Sequence, residues 1–353
     1  VDFDFNDDQR LLQRTLRDFL ESECPVARLR ALWESETGRS RPLWKQLGEI
    51  GVPGLLVPEE HGGLGQDETD AVLVWEEVGR AALAEPVVAT AAVAAPLLRE
   101  LPDPALGRAW LPRIAGGDAI AAAGSELSPL VADAHVADLL LLVHAGELHA
   151  LEPDAVRLDP QPADDPGERL FVVAWEPRPA TRIAHGDAAR AALAAALDRG
   201  ALACAGQSLG VAERLVEMSA AYAGQRVQFG APIGSFQAVK HQLANAVVAL
   251  EYARGLVYRA AHSVARGGPC RAADVSMAKA GAGEAARQCA RTALQVHGAI
   301  GYTWEQDLHV WMRRAWSLDL AWGEGAWHRR RVADAVVEGA TPVESFGYVA
   351  PAA

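Results

Sequence analysis

The stretch QRVQFGAPIGSFQAVKHQLA at residues 225–244 decides how the chain is read. Its centre carries Gly230, Pro232 and Gly234, residues that interrupt helices, so it reads as a loop between two of them. Downstream, Phe236, Val239, Leu243, Val247 and Leu250 recur at three- and four-residue steps, which predicts a helix with one buried apolar stripe. Around the loop the polar chemistry is concentrated. Arg226 offers a planar fork that matches a phosphate. Phe229 would cover an aromatic ring, and Gln228 and Gln237 would satisfy polar edges. Two readings stand side by side: a capped interhelical turn, which is the plainer one, and one edge of a ligand site.

A second stretch, LQVHGAIGYTWEQDLHVWMRRA at 294–315, has the same ambiguity. Gly298 and Gly301 interrupt a helical pattern and would let backbone N–H groups approach a ligand closely. Gln295 lies one turn before that gap. The plainer alternative is a packed helix corner, with Trp304, Trp311 and Trp316 as core or interface aromatics.

Working outward, residues 1–112 read as mostly helical. In DDQRLLQRTLRDFLESE, Leu12, Leu16, Phe19 and Leu20 form one stripe opposite the charges. Asn6 is a plausible N-cap and Pro25 stops the helix. IGVPGLLVPEEHGGLGQ is too dense in Gly and Pro to be anything but a loop, and TDAVLVWEEVGRAALAE returns to helical spacing. From 113 to 185 the period changes to short apolar runs between turn residues, with His144-Ala145-Gly146-Glu147 as a hairpin turn. Helical, alanine-rich spacing resumes over 186–340, and 341–353 reads as a loose tail. The fold class expected is mainly α with a β insert, ending in a helical bundle.

Composition narrows the functions. Half of the 353 residues are hydrophobic, enough for a sizeable core, and the net charge is −13 with no basic stripe, which argues against a nucleic-acid partner. The dense basic run Arg329–Arg331 and the pair Arg313–Arg314 read as solvated helix faces or intersubunit ion pairs rather than a phosphate site. No apolar run is long enough to span a membrane; LLLLV at 139–143 reads as a buried strand. The acidic start of the chain lacks a signal-peptide layout, so cytoplasmic residence is the default expectation. Cys24, Cys204, Cys270 and Cys289 form neither a CxxC pair nor a metal spacing and are expected as buried thiols, with no metal site. The glycines of GEAARQ and HGAIG follow no strand, so a Rossmann reading is poor, and there is no P-loop, HExxH or GxSxG.

At the two glycine-interrupted stretches the sequence resembles the acyl-CoA dehydrogenases. RVQFGAPIGSFQAVKHQLANA is similar to that family's most specific signature, and QVHGAIGYTWEQDLHVWMRRA to its last shared stretch. RPLWKQLGEIGVPGLLVPEEHGGLG followed by WEEVGR is similar to its N-terminal helical domain. The resemblance implies an N-terminal helical domain over 1–112, a middle β domain over 113–185 and a C-terminal four-helix bundle over 186–340. It implies FAD, and α,β-dehydrogenation of an acyl-CoA thioester: a carboxylate takes the α-proton as a hydride leaves the β-carbon. Electron-transfer flavoprotein is the usual acceptor. The family builds its FAD site across a subunit boundary. By similarity, holding the pyrophosphate and adenosine end falls to Arg226, Gln228, Phe229, Gln237, Gln295 and Gly298, with Ala299 standing where a second Gly is usual.

The departures from the family pattern set the finer expectation. The middle domain is short, keeps only a remnant around Gly124, Ser125 and Glu126, and lacks the Trp-Ile-Thr/Ser run that lines the flavin. The usual base precedes a Gly; if Gly323 is that Gly, Trp322 stands in the base's place and Glu324 is a displaced candidate inside a helix. The other location used for the base falls on Gly200, and the neighbouring Arg becomes Ala201. This combination resembles the degenerate subunit of actinobacterial heterotetrameric (α2β2) acyl-CoA dehydrogenases, often of sterol side-chain catabolism. It implies a partner subunit that carries the catalytic Glu. A self-sufficient homotetrameric enzyme using Glu324, and a non-enzymatic scaffold, are the alternatives.

Overall fold

A computed structural model describes residues 4–338; the tail expected at 341–353 lies outside them. The helices and strands, in chain order, begin with α1 (Asp7–Glu23), α2 (Val26–Glu34), α3 (Arg41–Ile50) and α4 (Glu68–Arg80). A π-helical segment at Val88–Ala94 leads into α5 (Ala95–Arg99), followed by α6 (Ala105–Ala115). Seven strands follow: β1 (Ala121–Ala123), β2 (Leu130–Ala132), β3 (Leu139–His144), β4 (Glu147–Leu151), β5 (Arg157–Gln161), β6 (Leu170–Ala174) and β7 (Arg182–Ala184). The 40-residue α7 (Gly186–Gln225) is joined through the two-residue strands β8 (Val227–Gln228) and β9 (Ala231–Pro232) to α8 (Gln237–Ala265). Then come α9 (Arg271–His297), α10 (Leu308–Leu320) and α11 (Gly325–Val337). The expected order of helices, strands and helices is thus the observed one.

Local chemistry explains the boundaries. Asn6 caps α1 in a reciprocal capping box with Gln9, which satisfies two amide donors that the first turn leaves open. The helix ends at Glu23, just before Pro25, and Leu16 and Leu20 of its apolar stripe are buried. In the β3–β4 hairpin His144 pairs with Glu147 across Ala145 and Gly146. Both turn residues have positive φ, 49° and 75°, as a two-residue hairpin with right-handed strand twist requires.

The chain divides into two compact units. One comprises Ala27–Ala71 and Ala84–Ala203 and holds both larger sheets. These are a four-stranded sheet in the order β1-β3-β4-β7, with only β1 and β3 parallel, and a three-stranded antiparallel sheet in the order β2-β6-β5. β3 is buried through Leu139–Leu142, as its unbroken apolar run demands. A buried ion pair joins Arg39 to Asp133 at 2.5 Å in this unit.

Among the described residues, the other unit comprises those up to Val26, Val72–Leu83 and those from Cys204 onward. Its centre is α9, packed against α8, α10 and α11. Within it, α4 and α7 touch backbone to backbone: a Cβ on Gly79 would lie 2.0 Å from the Gln207 carbonyl oxygen, and one on Gly210 would lie 1.8 Å from that of Glu76. Only glycine permits that approach. The four cysteines are buried and none is in a disulfide.

Two expectations need correction. The stripe is not buried among the described residues: on α8 Leu250 is buried but Val247 is 40% exposed, and Phe236, the residue before α8, is 37% exposed. Periodicity locates an apolar face without saying whether the surface that covers it belongs to the same chain. Nor is Arg314 on a solvated face. It is buried and donates to the Leu83 carbonyl at 2.7 Å, while the Arg313 guanidinium lies 4.8 Å over the Trp304 ring.

Candidate functional site

The loop after α7 folds as a miniature hairpin. Val227 pairs with Pro232 and Gln228 with Ala231. The tip is Phe229-Gly230, with φ of 52° and 78°. Glycine reaches that region freely; a bulky aromatic there costs about 1–3 kcal/mol. The Phe229 ring gains no burial in return, being 95% exposed. Among the described residues its ring neighbour is Phe236, edge-on at 6.3 Å.

At the base of this hairpin lies a depression of about 370 Å³. Arg226 and Gln228 stand on one side and His297 and Ala299, which flank Gly298, on the other; Ile233, Val296 and Ile300 supply apolar wall. The glycine break expected from the sequence is real. α9 ends at His297, Gly298 has φ 64° and ψ −139°, a region open essentially to glycine, and a 3₁₀ turn carries the chain through Gly301. A Cβ on Gly298 would meet nothing within 4 Å, so the backbone there faces open space.

Of the six residues assigned to nucleotide binding, Arg226 and Gln228 line this depression and Gly298 lies between two residues that do. Phe229 sits at the hairpin tip above them. Gln237, the first residue of α8, and Gln295, in the last turn of α9, are both exposed and do not line it.

Sequence reasoning missed the floor of the depression. Tyr222 and His297 stack at 4.4 Å between centroids and 23° between planes. His297 is adjacent to the glycine that was singled out, and Tyr222 lies one helical turn before Arg226. Their meeting across α7 and α9 leaves no mark in the local pattern.

The segment that resembles the family's base-bearing stretch is a closed corner. Trp322 and Gly323 have φ of 56° and 99°. The buried Lys279 ammonium donates to the carbonyl oxygens of Asp319 and Gly323, each at 3.0 Å. His328, fully buried, contacts the Trp322 carbonyl oxygen through Nε2 at 3.0 Å and the Ser276 hydroxyl through Nδ1 at 3.1 Å. A carbonyl only accepts, so Nε2 carries the proton and Nδ1 accepts from Ser276. Burial, with the Lys279 charge nearby, pushes the His328 pKa down to about 4. Glu324 is not inside a helix, as the sequence suggested, but is the exposed N-cap residue of α11, and its side chain makes no capping bond. Gly200 and Ala201 are buried in α7 and bring no carboxylate.

Two other charged groupings were not anticipated. Glu76 is buried and accepts from Arg254 at 2.5 Å; desolvation dominates and pushes its pKa up to about 7. A second depression, about 400 Å³, is bordered by Arg17, Glu77, Arg80, Arg214 and Trp311. Its cations are engaged locally: Arg17 pairs with Glu77 and Arg80 with Glu217, each at 2.6 Å, and Arg214 lies 5.3 Å over the Trp311 ring. Among the described residues no group of His, Cys, Asp and Glu is placed to hold a metal, and no helix is long and apolar enough to cross a membrane.

Comparison with known proteins gives a consistent result. Residues 6–118 match the acyl-CoA dehydrogenase N-terminal domain and residues 189–337 the acyl-CoA dehydrogenase C-terminal domain. The acyl-CoA dehydrogenase IpdE2 of Mycobacterium tuberculosis is 33% identical over 88% of this chain and 91% of its own length. A chain of the ChsE4-ChsE5 complex from Mycobacterium tuberculosis superposes with a TM-score of 0.84 at 26% identity, covering 96% of this chain and 99% of that one. Butyryl-CoA dehydrogenase from Megasphaera elsdenii, at 22% identity, shares the fold with a TM-score of 0.85 over 96% of this chain and all of that one.

Proposed function

The chain belongs to the acyl-CoA dehydrogenase family, and on that premise we propose that it supplies one half of an FAD site and leaves the base to a partner subunit. Members of the family are oxidoreductases acting on acyl-CoA, and FAD is their cofactor. When bound, FAD takes up the hydride from the acyl chain. The residues of this chain suit the nucleotide end of that group. Arg226 offers a bidentate fork for the pyrophosphate, Gln228 an amide, and Gly298 a backbone free of side-chain cover. Gln237 and Gln295 would complete the set from the exposed ends of α8 and α9.

The observation that carries the proposal is Phe229. A two-residue hairpin needs positive φ at its tip, but a phenylalanine there, at φ 52° and 95% exposed beside an arginine-lined depression, is a cost that no burial among the described residues offsets. A nucleotide or a second subunit laid over it would offset that cost. The exposed apolar face of α8, with Val247, Val248 and Tyr252 at 40%, 52% and 78%, also calls for a covering surface. The absence of a carboxylate at Trp322 and Gly200 supports a partner that carries the catalytic Glu. The ChsE4-ChsE5 complex gives a precedent for two such proteins together. The assembly proposed is α2β2, its substrate an acyl-CoA with a bulky acyl group such as a steroid side chain, its acceptor electron-transfer flavoprotein. Residues 113–185 would be the shortened middle domain, too small to cradle a flavin ring alone.

The test is purification of this chain alone and with its partner, read by flavin absorbance and by dye reduction with acyl-CoA. The complex is expected to be yellow and active and the lone chain neither. Arg226→Ala in the complex is expected to weaken FAD retention by about 10- to 100-fold, the usual worth of a charge-assisted bidentate contact. A second reading has one observation behind it: Glu324 is an exposed carboxylate that makes no capping bond, available to act as base in a homotetramer. Dye reduction by the lone, flavin-loaded chain that disappears in Glu324→Gln would establish it. Flavin content unchanged by Arg226→Ala would instead indicate a scaffold.

A further inference from the structure

His297 is the one buried polar side chain aimed into the depression beside Arg226. It is 5% exposed, and its ring forms part of the lining. Nδ1 lies 2.8 Å from the Ala293 carbonyl oxygen, which can only accept, so Nδ1 carries a proton. Burial lowers the ring's pKa from its ordinary value, which favours the neutral form with a bare lone pair on Nε2. Among the described residues no donor meets that lone pair. Stacking on Tyr222 fixes the ring plane, and a Cβ on Gly301 would press on the His297 Cβ at 3.1 Å, so the small residue there preserves the ring's position.

An acceptor on the lining of an open depression is met by water in the free chain and is open to a ligand's donor. The same depression is lined by the Arg226 guanidinium and the Gln228 amide. We infer that His297 is a nucleotide-binding residue, its Nε2 accepting a hydrogen bond from a donor in the nucleotide half of the dinucleotide that Arg226 anchors. The donor is an N–H or O–H group: the exocyclic amine of the adenine or a ribose hydroxyl. This rests on the reading of the depression as the nucleotide side of an FAD site, and adds to it a residue that selects for a donor where Arg226 selects for charge.

The experiment uses the complex with its partner, stripped of flavin and titrated with FAD. His297→Asn keeps an N–H where Nδ1 was and deletes the acceptor. His297→Gln places an amide oxygen where Nε2 was. Asn is expected to weaken FAD binding about 10-fold and Gln to stay within about 3-fold of the parent, the size of one hydrogen bond. The unsubstituted complex, titrated with the hypoxanthine analogue of FAD and with its 2′- and 3′-deoxyribose analogues, separates the sources: the analogue lacking the right donor should lose the same factor. Equal affinity of His297→Asn and the parent, or of all the analogues and FAD, overturns the inference. Should Arg226→Ala lose flavin while His297→Asn does not, only the role of His297 falls. Should neither lose it, the nucleotide reading falls with it.

Discussion

Two corners of the bundle unit put an aromatic residue and a glycine in succession into the left-handed region. Phe229-Gly230 forms the tip of the short hairpin, and Trp322-Gly323 the turn between α10 and α11. The backbone cost is the same in kind, but it is offset in different places. At Trp322-Gly323 the chain satisfies itself: Lys279 and His328, both buried, hold the carbonyl groups of Asp319, Trp322 and Gly323. At Phe229-Gly230, among the described residues, no buried side chain donates to the tip carbonyl groups, and the ring is 95% exposed. A strained turn braced from within is architecture. The strained turn left unbraced next to Arg226 is the feature on which the proposed nucleotide side rests.

The sharpest way to break this contrast is at the braced corner. Lys279→Met keeps the volume but leaves the buried Asp319 carbonyl and the part-buried Gly323 carbonyl without their donor, and is expected to cost about 3 kcal/mol of stability. Denaturant unfolding would show it as a lower midpoint with unchanged slope. A loss under about 1 kcal/mol would mean the corner is not braced as described.

The same corner predicts a pH dependence. His328 has a folded pKa near 4, below the unfolded value of about 6.5. The unfolded chain therefore binds more protons between those values. The stabilisation from neutral His328 is fully present above about pH 6.5 and is lost as pH falls through about 4, for a total of about 3 kcal/mol. His328→Gln should flatten that limb. Glu76 acts in the opposite sense: its folded pKa near 7 makes its contribution fall as pH rises from about 4.5 to about 7. The two titrations overlap, so the His328 part is read from the difference between parent and variant melts.

The smallest effect belongs to the unbraced tip. Phe229→Asn, a residue that tolerates positive φ, is expected to stabilise the isolated chain by about 0.5–1 kcal/mol. In the complex the same change should lower flavin retention or partner affinity, because it removes the exposed ring. A variant less stable alone, or unaltered in the complex, would erase the distinction between the two corners.

Much of the local structure was legible. The capping box at Asn6, the stop before Pro25, the two-residue hairpin at Ala145-Gly146 and the glycine break after His297 all follow from backbone chemistry within a few residues. Arg226 and Gln228 stand out because charge and amide groups crowd a glycine-rich loop, and in the structure both line one depression with the residues that flank Gly298. The partners that lie far apart in the chain were not legible. Tyr222 stacks on His297 from another helix, Lys279 reaches a turn some forty residues on, and Glu76 meets Arg254 across helices; no local period encodes such meetings.

The α8 stripe marks the boundary between the two kinds of information. Within the helix, Val239, Leu243, Val247 and Leu250 share one face, because 3.6 residues per turn leaves no other choice, while Phe236 falls just before α8 with extended backbone. Whether that face was core or surface depended on which helices pack beside it, and the tertiary structure left Phe236 and Val247 open. Sequence periodicity sets the direction of a side chain relative to its own helix axis. Burial depends on what stands opposite, and that is decided only when distant segments, or a second chain, come together.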